Sequence, residues 1–150
     1  MALPPVESLP TLVLRLGIAF GVGALIGLER EQSESGGTFA GSRTFPLFAL
    51  YGALVGAFYP SALPVAIAAI VVPLTVAYGA KVWIEGDTGL TTLTAALLTV
   101  LLGALATHSG RGAVVTIVVG GAVTALLSVK GSLHRFADRI DDDEQRAVVK

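Results

Sequence analysis

The charged side chains best placed for chemistry lie on either side of one short loop. Glu29, Arg30 and Glu31 end the first apolar run of the chain, and Arg43 and Thr44 begin the second. The loop brings these residues close together, and an Arg43–Glu29 or Arg43–Glu31 ion pair would hold the two helix ends. The alternative is that the two carboxylates face a vestibule and bind a cation.

A second polar group precedes the fourth apolar run. Asp87 can cap the helix that starts there, and Thr91 and Thr92 add hydroxyls at its positive N-terminal end. Mg²⁺ takes oxygen ligands and keeps several of its waters, so two carboxylates can suffice. Glu31 and Asp87 are therefore the candidate ligands of a Mg²⁺ site, and a network of salt bridges with nearby basic residues is the simpler alternative.

Arg15 is a charged residue inside an apolar run. A charge in hydrocarbon is costly, so such a residue is a candidate for function. Its side chain can extend to the outer headgroups, or it can point inward. In the second case no other apolar run offers an acidic partner, so backbone carbonyls, threonine hydroxyls or an anionic ligand would have to accept its hydrogen bonds.

No arrangement typical of an enzyme is present. The sequence contains no phosphate-binding loop, no nucleophile–base pair and no metal triad. His108 and Ser109 precede Gly110, which favours a turn, and the run from Asp141 to Glu144 favours a solvated helix cap. We therefore predict that the protein is not an enzyme.

The elements that must hold these residues are strongly apolar. Hydrophobic residues make up 53% of the 150-residue chain and charged residues 14%, against about 25% charged in soluble proteins. The mean hydropathy is +0.77, and only five charged residues lie between Phe45 and Leu133. Such a stretch has no polar shell for water. The absence of cysteine and the net charge of −1 also exclude a disulfide scaffold, a zinc finger and a basic nucleic-acid binder.

Five apolar runs, separated by charges and by glycine or proline, predict an all-α, polytopic membrane protein. A bilayer crossing needs about 20 residues, within a range of roughly 17 to 25. The runs do not alternate and are rich in alanine and leucine, which argues against a β-barrel. We expect a five-helix transmembrane domain over residues 1–130 and a cytoplasmic tail over residues 131–150. The predicted spans cover residues 12–28, 44–58, 62–82, 90–106 and 113–129.

The distribution of basic residues predicts the orientation. An N-out, C-in arrangement puts eight of the ten lysine and arginine residues on the cytoplasmic side, in agreement with the positive-inside rule. The first five residues lack the basic region of a signal peptide. We expect a multi-pass protein of the inner (plasma) membrane, surrounded by the lipid bilayer.

The tail has an amphipathic pattern. Helical spacing relates Leu133, Phe136, Ala137 and Ile140, and Arg135 and Arg139 lie on the other face. This pattern predicts a short helix that lies along the inner membrane interface, with its basic side near the lipid phosphates.

Glycine pairs four residues apart recur on the first two spans. Small residues at this spacing let helices approach closely in lipid. They indicate either packing within one bundle or a contact between two copies of the chain, which would make a homodimer. The residues are Gly17, Gly21, Gly23, Gly27, Gly52 and Gly56.

Several of these segments resemble a known family. Arg15-Leu-Gly-Ile-Ala19, Gly27-Leu-Glu-Arg-Glu31 and Ala40-Gly-Ser-Arg-Thr44 are similar to the N-terminal pattern of the MgtC/SapB family of bacterial membrane proteins. Gly89-Leu-Thr-Thr-Leu-Thr-Ala-Ala96 resembles the segment with which that family enters its fourth helix. The combination of these motifs is more specific than any one of them.

The resemblance covers about residues 12–130 and departs from the family at one position. The histidine that usually follows Arg-Thr is Phe45 here, which is more similar to a branch of longer, uncharacterised membrane proteins. The family implies a five-helix membrane domain linked to growth at low magnesium and, in pathogens, to survival in host cells through inhibition of the F-type ATP synthase. We therefore expect a role in Mg²⁺ or other cation homeostasis, or in the regulation of a membrane-protein partner.

Two other functions fit the sequence. A transporter or channel subunit for a cation or small solute would line its path with Arg15 and with spans interrupted by glycine or proline, such as the third, which contains Pro64 and Pro73. A structural membrane anchor would serve a partner domain supplied by another chain.

Overall fold

The computed structural model describes residues 8–33, 40–85 and 90–148, with the side chains of Lys81, Glu85 and residues 130–148 left out. The described chain is helical apart from short turns and contains no strand. The all-α prediction is therefore confirmed for these residues.

Five α-helices and one short 3-10 turn make up the described chain. Four stretches are long and apolar enough to cross a membrane, judged by length and composition: Leu9–Ser33, Pro60–Ile84, Leu90–His108 and Gly110–Val129. The second helix is shorter, so the count of five spans stays a prediction. The helices are α1 (Leu9–Ser33), α2 (Thr44–Phe58), α3 (Leu63–Glu85), α4 (Leu90–His108) and α5 (Gly110–Val148), with the 3-10 turn at Pro60–Ala62.

Local chemistry sets both ends of α2. The N–H groups of Thr44 and Phe45 donate to the carbonyl of Gly41 at 3.0 and 3.2 Å, which forms the first turn. At the other end, Pro60 has no N–H to donate, and the chain passes into the 3-10 turn. The predicted run 44–58 agrees with the helix to the residue. At about 1.5 Å per residue the helix is about 22 Å long, less than the roughly 30 Å of bilayer hydrocarbon.

Helices α1, α2, α4 and α5 form a bundle in which α4 is central. α4 packs most extensively against α2 and also contacts α1, α3 and α5. Ile26, Phe45 and Val100 are the largest fully buried apolar side chains among them. Helix α3 lies at the edge, in contact with α2 and α4, and Ala66 is the one buried residue among its described side chains.

Helix α5 continues without a break into the tail of the chain. The sequence predicted a span that ends near residue 129 and a separate short helix after it, whereas α5 runs from Gly110 to Val148. No proline follows residue 110, so no residue type interrupts the backbone hydrogen bonds. Its 39 residues extend for about 58 Å, roughly twice the hydrocarbon thickness of a bilayer. That the tail lies along the membrane interface stays a prediction.

Candidate functional site

Arg15 lies inside the bundle, at the end where α1 begins and α4 ends. Only 8% of its surface is exposed, and its Nη1 donates a hydrogen bond to the carbonyl oxygen of Thr107 at 3.2 Å. The last carbonyls of a helix have no partner within it and carry the negative end of its dipole. The guanidinium therefore satisfies a carbonyl at the end of α4. Of the two positions predicted for Arg15, the structure has the inward one.

Thr107 links the same end of α4 to α2. Its Oγ1 lies 3.0 Å from the carbonyl oxygen of Ala53, to which it donates, and 3.1 Å from that of Ala104 in its own helix. Arg15 also lies beside the start of α5, because a Cβ on Gly110 would be 3.7 Å from its Nη2. We call Arg15, Thr107 and the Ala53 carbonyl the Arg15 cluster, which joins α1, α2 and α4 at one end of the bundle.

A buried ion pair lies at the other end of α1, about 21 Å along the helix from Arg15. The Nε and Nη2 of Arg30 donate to Glu29 Oε2 at 3.0 and 2.9 Å. The second carboxylate oxygen, Oε1, accepts a hydrogen bond from Ser33 Oγ at 2.5 Å. Both charged side chains are more than nine-tenths buried, so each depends on the other for its neutralisation.

The predicted ion pair between Arg43 and a glutamate is not what joins α1 to α2. Glu29 pairs with Arg30, and Glu31 Oε2 accepts a hydrogen bond from the backbone N–H of Ser42 at 3.0 Å. The first N–H groups of a helix and those just before it lack helical partners, so a nearby carboxylate satisfies one of them. Arg43 is exposed and, within the described residues, forms no ion pair at contact distance, although its positive charge is near enough to favour the ionised carboxylate of Glu31. We call Glu29, Arg30, Glu31, Ser33 and Ser42 the Glu29 cluster.

The predicted polar group at the start of α4 is described only in part. Thr92 is buried and Thr91 is half-buried, both in the first turn of α4, while Thr44 is half-buried at the first position of α2. Asp87 lies outside the described residues, so its capping role and the Glu31–Asp87 cation site stay predictions. Where side chains are described, no group of three or more histidine, aspartate or glutamate residues is placed to hold a metal ion.

Four of the six predicted glycines allow close contacts within the bundle. A Cβ on Gly52 would lie 1.9 Å from the carbonyl oxygen of Val100, and one on Gly56 would lie 2.9 Å from atoms of Ala104. On α1, Cβ atoms on Gly23 and Gly27 would come within 2.8 Å and 2.9 Å of backbone oxygens at the start of α2. These positions exclude any larger residue because backbone lies in the way.

The other two glycines have a different environment. A Cβ on Gly17 or Gly21 would meet nothing within 4 Å, so these two residues play no part in packing within the described bundle. Packing within one chain and contact between two chains were the alternatives for the whole set. Gly23, Gly27, Gly52 and Gly56 serve packing within one chain. Gly17 and Gly21 lie on α1 where an added Cβ would meet no other atom.

Comparison with known families identifies the chain. The model of the MgtC family matches residues 16–136, which run from α1 through the bundle into the continuation of α5. The chain belongs to the MgtC family. A search of curated proteins and of solved structures gave no significant match.

Phe45, the departure from the usual MgtC-family pattern, is a core residue here. Its side chain is fully buried and packs edge-on against Phe48, with ring centroids 6.1 Å apart. Its Cβ lies close to Gly27, where an added Cβ would approach it to 3.1 Å. The start of the Phe45 side chain thus packs against α1 at Gly27, and in this MgtC-family protein the position serves packing.

Four members of the two clusters were not predicted from the sequence: Ser33, Ser42, Thr107 and the carbonyl of Ala53. Ser33 follows Glu29 by four residues, a spacing that puts two side chains on the same helix face and could have identified it. Ser42 contributes both its backbone N–H and its side chain to Glu31, from 11 positions away along the chain, a separation that helical spacing does not mark. Thr107 meets Arg15 across 92 positions of sequence, and only the packing of α1 on α4 brings them together.

Proposed function

We propose that this MgtC-family protein is a non-enzymatic, multi-pass protein of the inner membrane that acts in Mg²⁺ or other cation homeostasis, or that regulates a membrane-protein partner. It crosses the bilayer five times, with the N-terminus outside and the C-terminus in the cytoplasm. The observation that carries the proposal is the close packing of the helices in the part of the bundle that lies between the Arg15 cluster and the Glu29 cluster.

The centre of the bundle is packed at the level of backbone contacts. A Cβ on Gly52 of α2 would come within 1.9 Å of the Val100 carbonyl of α4, and one on Gly103 of α4 within 2.0 Å of the Ala49 carbonyl of α2. The fully buried side chain of Phe45 fills the adjoining space. Helices in such contact leave no room for a hydrated path between them, which supports a regulatory role over conduction.

The hydroxyls in the bundle interior are already used. Thr99 Oγ1 donates to the carbonyl of Ala95 at 2.7 Å, and Thr116 Oγ1 donates to that of Leu102 at 3.0 Å. Both threonines are fully buried. A permeating ion or solute needs polar groups that exchange partners along its path, and these two hydroxyls already donate to backbone carbonyls. This also supports a protein that does not conduct.

A transporter or channel subunit is the second candidate function, and the buried Arg15 favours it. Charged residues within transmembrane helices commonly mark substrate or ion pathways. The contact of Arg15 with the Thr107 carbonyl gives it a structural role that needs no substrate. A transporter or channel subunit predicts saturable movement of its ion or solute across the membrane, and a regulatory protein predicts none.

Flux measured on the full chain in sealed proteoliposomes separates the two functions. We expect no saturable Mg²⁺ uptake above that of protein-free liposomes, because α2 and α4 pack at the level of backbone contacts. Saturable uptake that is lost in Arg15→Ala and kept in Arg111→Ala would overturn the regulatory proposal. Arg111 is the matched control because it is an exposed arginine at the same end of the bundle.

The link to magnesium has a separate test. Mg²⁺ added to the purified protein is expected to raise its melting temperature if Glu31 and Asp87 bind the ion, since a ligand that binds only the folded state stabilises it. The Glu31→Gln/Asp87→Asn variant should then lose the response, and the Asp141→Asn/Asp143→Asn variant, which removes two carboxylates from the tail, should keep it. An unchanged response in the first variant would dismiss these two residues as ligands.

A further inference from the structure

One face of α5 carries an apolar stripe that turns away from the bundle. The residues of α5 that pack inward include Thr116, Gly120 and Leu127, which are buried. On the opposite side, Val118, Leu126 and Val129 are 65%, 72% and 57% exposed. With 3.6 residues per turn, the exposed positions fall within roughly a quarter of the helix circumference and so share one face.

The same stripe continues past the part of α5 that a bilayer can cover. Because α5 is unbroken to Val148, positions 133, 136 and 140 fall on the face that carries Leu126 and Val129. These positions are Leu, Phe and Ile. From residue 126 to 140 the spacing is three, four, three and four residues, the repeat of a helix that pairs with another helix. Outside the membrane such a stripe is in contact with water unless a partner covers it.

We propose that α5 pairs with α5 of a second copy of this chain, in a parallel two-helix contact that continues beyond the membrane. Two copies inserted in the same membrane have the same orientation, so a twofold axis along the membrane normal makes their α5 helices parallel and puts identical positions opposite each other. The contact follows Val115, Val118, Ala122, Leu126, Val129, Leu133, Phe136 and Ile140.

The charges beside the stripe suit a second copy. In a parallel pair of helices, charged residues that flank the core can form ion pairs between the two chains. A residue directly before a core position of one helix lies near the residue numbered five higher on the other helix. Arg139 precedes Ile140, and the position five residues later is Glu144. The symmetric contact therefore puts an arginine of each copy near a glutamate of the other. The stripe ends after Ile140, since Asp143 takes the next core position.

The membrane surface is the other possible occupant, and two observations disfavour it. A tail that lies along the headgroups would need a sharp bend after the span, and α5 has none through Val148. The tail, residues 131–150, contains four basic and five acidic residues, a net charge of −1 with His134 neutral. It lacks the excess of basic residues by which anionic headgroups hold an interfacial helix. The interaction with a second copy depends on neither the regulatory nor the transport function.

Disulfide crosslinking tests the pairing, because the chain has no cysteine of its own. Full-length Leu133→Cys and Ile140→Cys variants in dilute proteoliposomes are compared with Asp138→Cys, which lies on the opposite face of the same helical turn. We expect about tenfold more covalent dimer at positions 133 and 140 than at 138, because a disulfide forms only when the Cα atoms come within roughly 7 Å.

Charge reversal gives an independent readout. Arg139→Glu should lower the dimer fraction, measured by energy transfer between labelled copies, by about threefold. The Arg139→Glu/Glu144→Arg variant should restore it, since the attraction across the contact is re-formed with its signs exchanged. A double variant no better than the single one contradicts this arrangement of the two helices.

Three results would overturn the proposal. Equal crosslinking at positions 138 and 140 would mean random collision. Crosslinking at Gly17→Cys with none at Ile140→Cys would place the contact on the open glycines of α1. A spin label at position 140 that collides with membrane-dissolved oxygen and is shielded from an aqueous nickel complex would mean that the membrane surface covers the tail.

Discussion

At the scale of single residues, each buried charge of this bundle lies near a helix end and is satisfied within the chain. Arg15 donates to the Thr107 carbonyl at the end of α4, and Glu29 and Arg30 neutralise each other near the end of α1. Burying a charge is costly unless it is paired and hydrogen-bonded. The cost explains why removal of one partner should affect stability more than removal of an exposed charge.

Arg15→Ala should lower the free energy of unfolding by about 2 kcal/mol, since a hydrogen bond to a charged group contributes roughly 1.5–3 kcal/mol and the Thr107 carbonyl would lose its donor. Arg111→Ala removes an exposed arginine and should change it little. Denaturation of both variants in detergent, followed by circular dichroism, gives the comparison. Equal losses in the two variants would show that the Thr107 contact contributes nothing to stability.

Glu29→Gln should destabilise the protein by about 3 kcal/mol, because it leaves the Arg30 guanidinium buried without its counter-charge. Replacing both residues, as Glu29→Gln/Arg30→Met, should recover most of the loss. Glu31→Gln on the neighbouring, exposed position is the control and should have a smaller effect. The midpoint of denaturant unfolding measures all three, and a double variant less stable than Glu29→Gln would contradict a coupled pair.

At the scale of elements, the contact between α2 and α4 depends on residues that have no side chain. Gly52 and Gly103 let each helix approach the backbone of the other. In lipid, where apolar side chains gain little from leaving the surrounding tails, close backbone approach and dispersion provide much of the association. α4 is thereby held in the middle of the bundle, with its Thr107 end beside Arg15.

Gly52→Ala should destabilise the bundle by about 2 kcal/mol or more, because its Cβ would overlap the Val100 carbonyl and the helices would have to separate. Gly21→Ala is the matched control on an open face. It should leave stability unchanged or raise it by up to about 1 kcal/mol, through the better helix propensity of alanine. Thermal unfolding of the two variants in the same detergent tests this, and a loss at Gly21→Ala equal to that at Gly52→Ala would argue against backbone contact as the cause.

At the scale of the whole molecule, the charged side chains that the structure describes lie toward the ends of an apolar bundle. The Glu29 cluster and the Arg15 cluster lie at opposite ends of α1, and the residues between them are small, apolar or internally hydrogen-bonded. The side that each cluster occupies follows from the orientation of the chain.

The proposed orientation predicts opposite labelling of two exposed positions. Ser61 lies in the 3-10 turn after α2, and Gln32 lies in the last turn of α1. In intact cells a membrane-impermeant maleimide should label Ser61→Cys, whereas Gln32→Cys should react only after permeabilisation. The reverse pattern would mean that the N-terminus is in the cytoplasm and that the Glu29 cluster faces outside.

Much of the helical architecture was predictable because its causes are local. Charges, prolines and the lengths of apolar runs mark helix ends within a few residues of sequence, and the predicted bounds of α2 agree with the structure. The continuation of α5 was not predicted, since the change from apolar to charged residues near position 130 marks the end of a membrane span and not the end of a helix.

By itself, the sequence determined that this chain is helical, strongly apolar and similar to the MgtC family, because composition, periodicity and short motifs depend on neighbouring residues. Only the tertiary structure decided that Arg15 points inward to Thr107, that Glu29 pairs with Arg30 while Glu31 holds the Ser42 N–H, and which glycines pack. The physical reason is distance along the chain. The acceptor of Arg15 is 92 residues away, and the register between two packed helices is the sum of many weak contacts that no single segment contains.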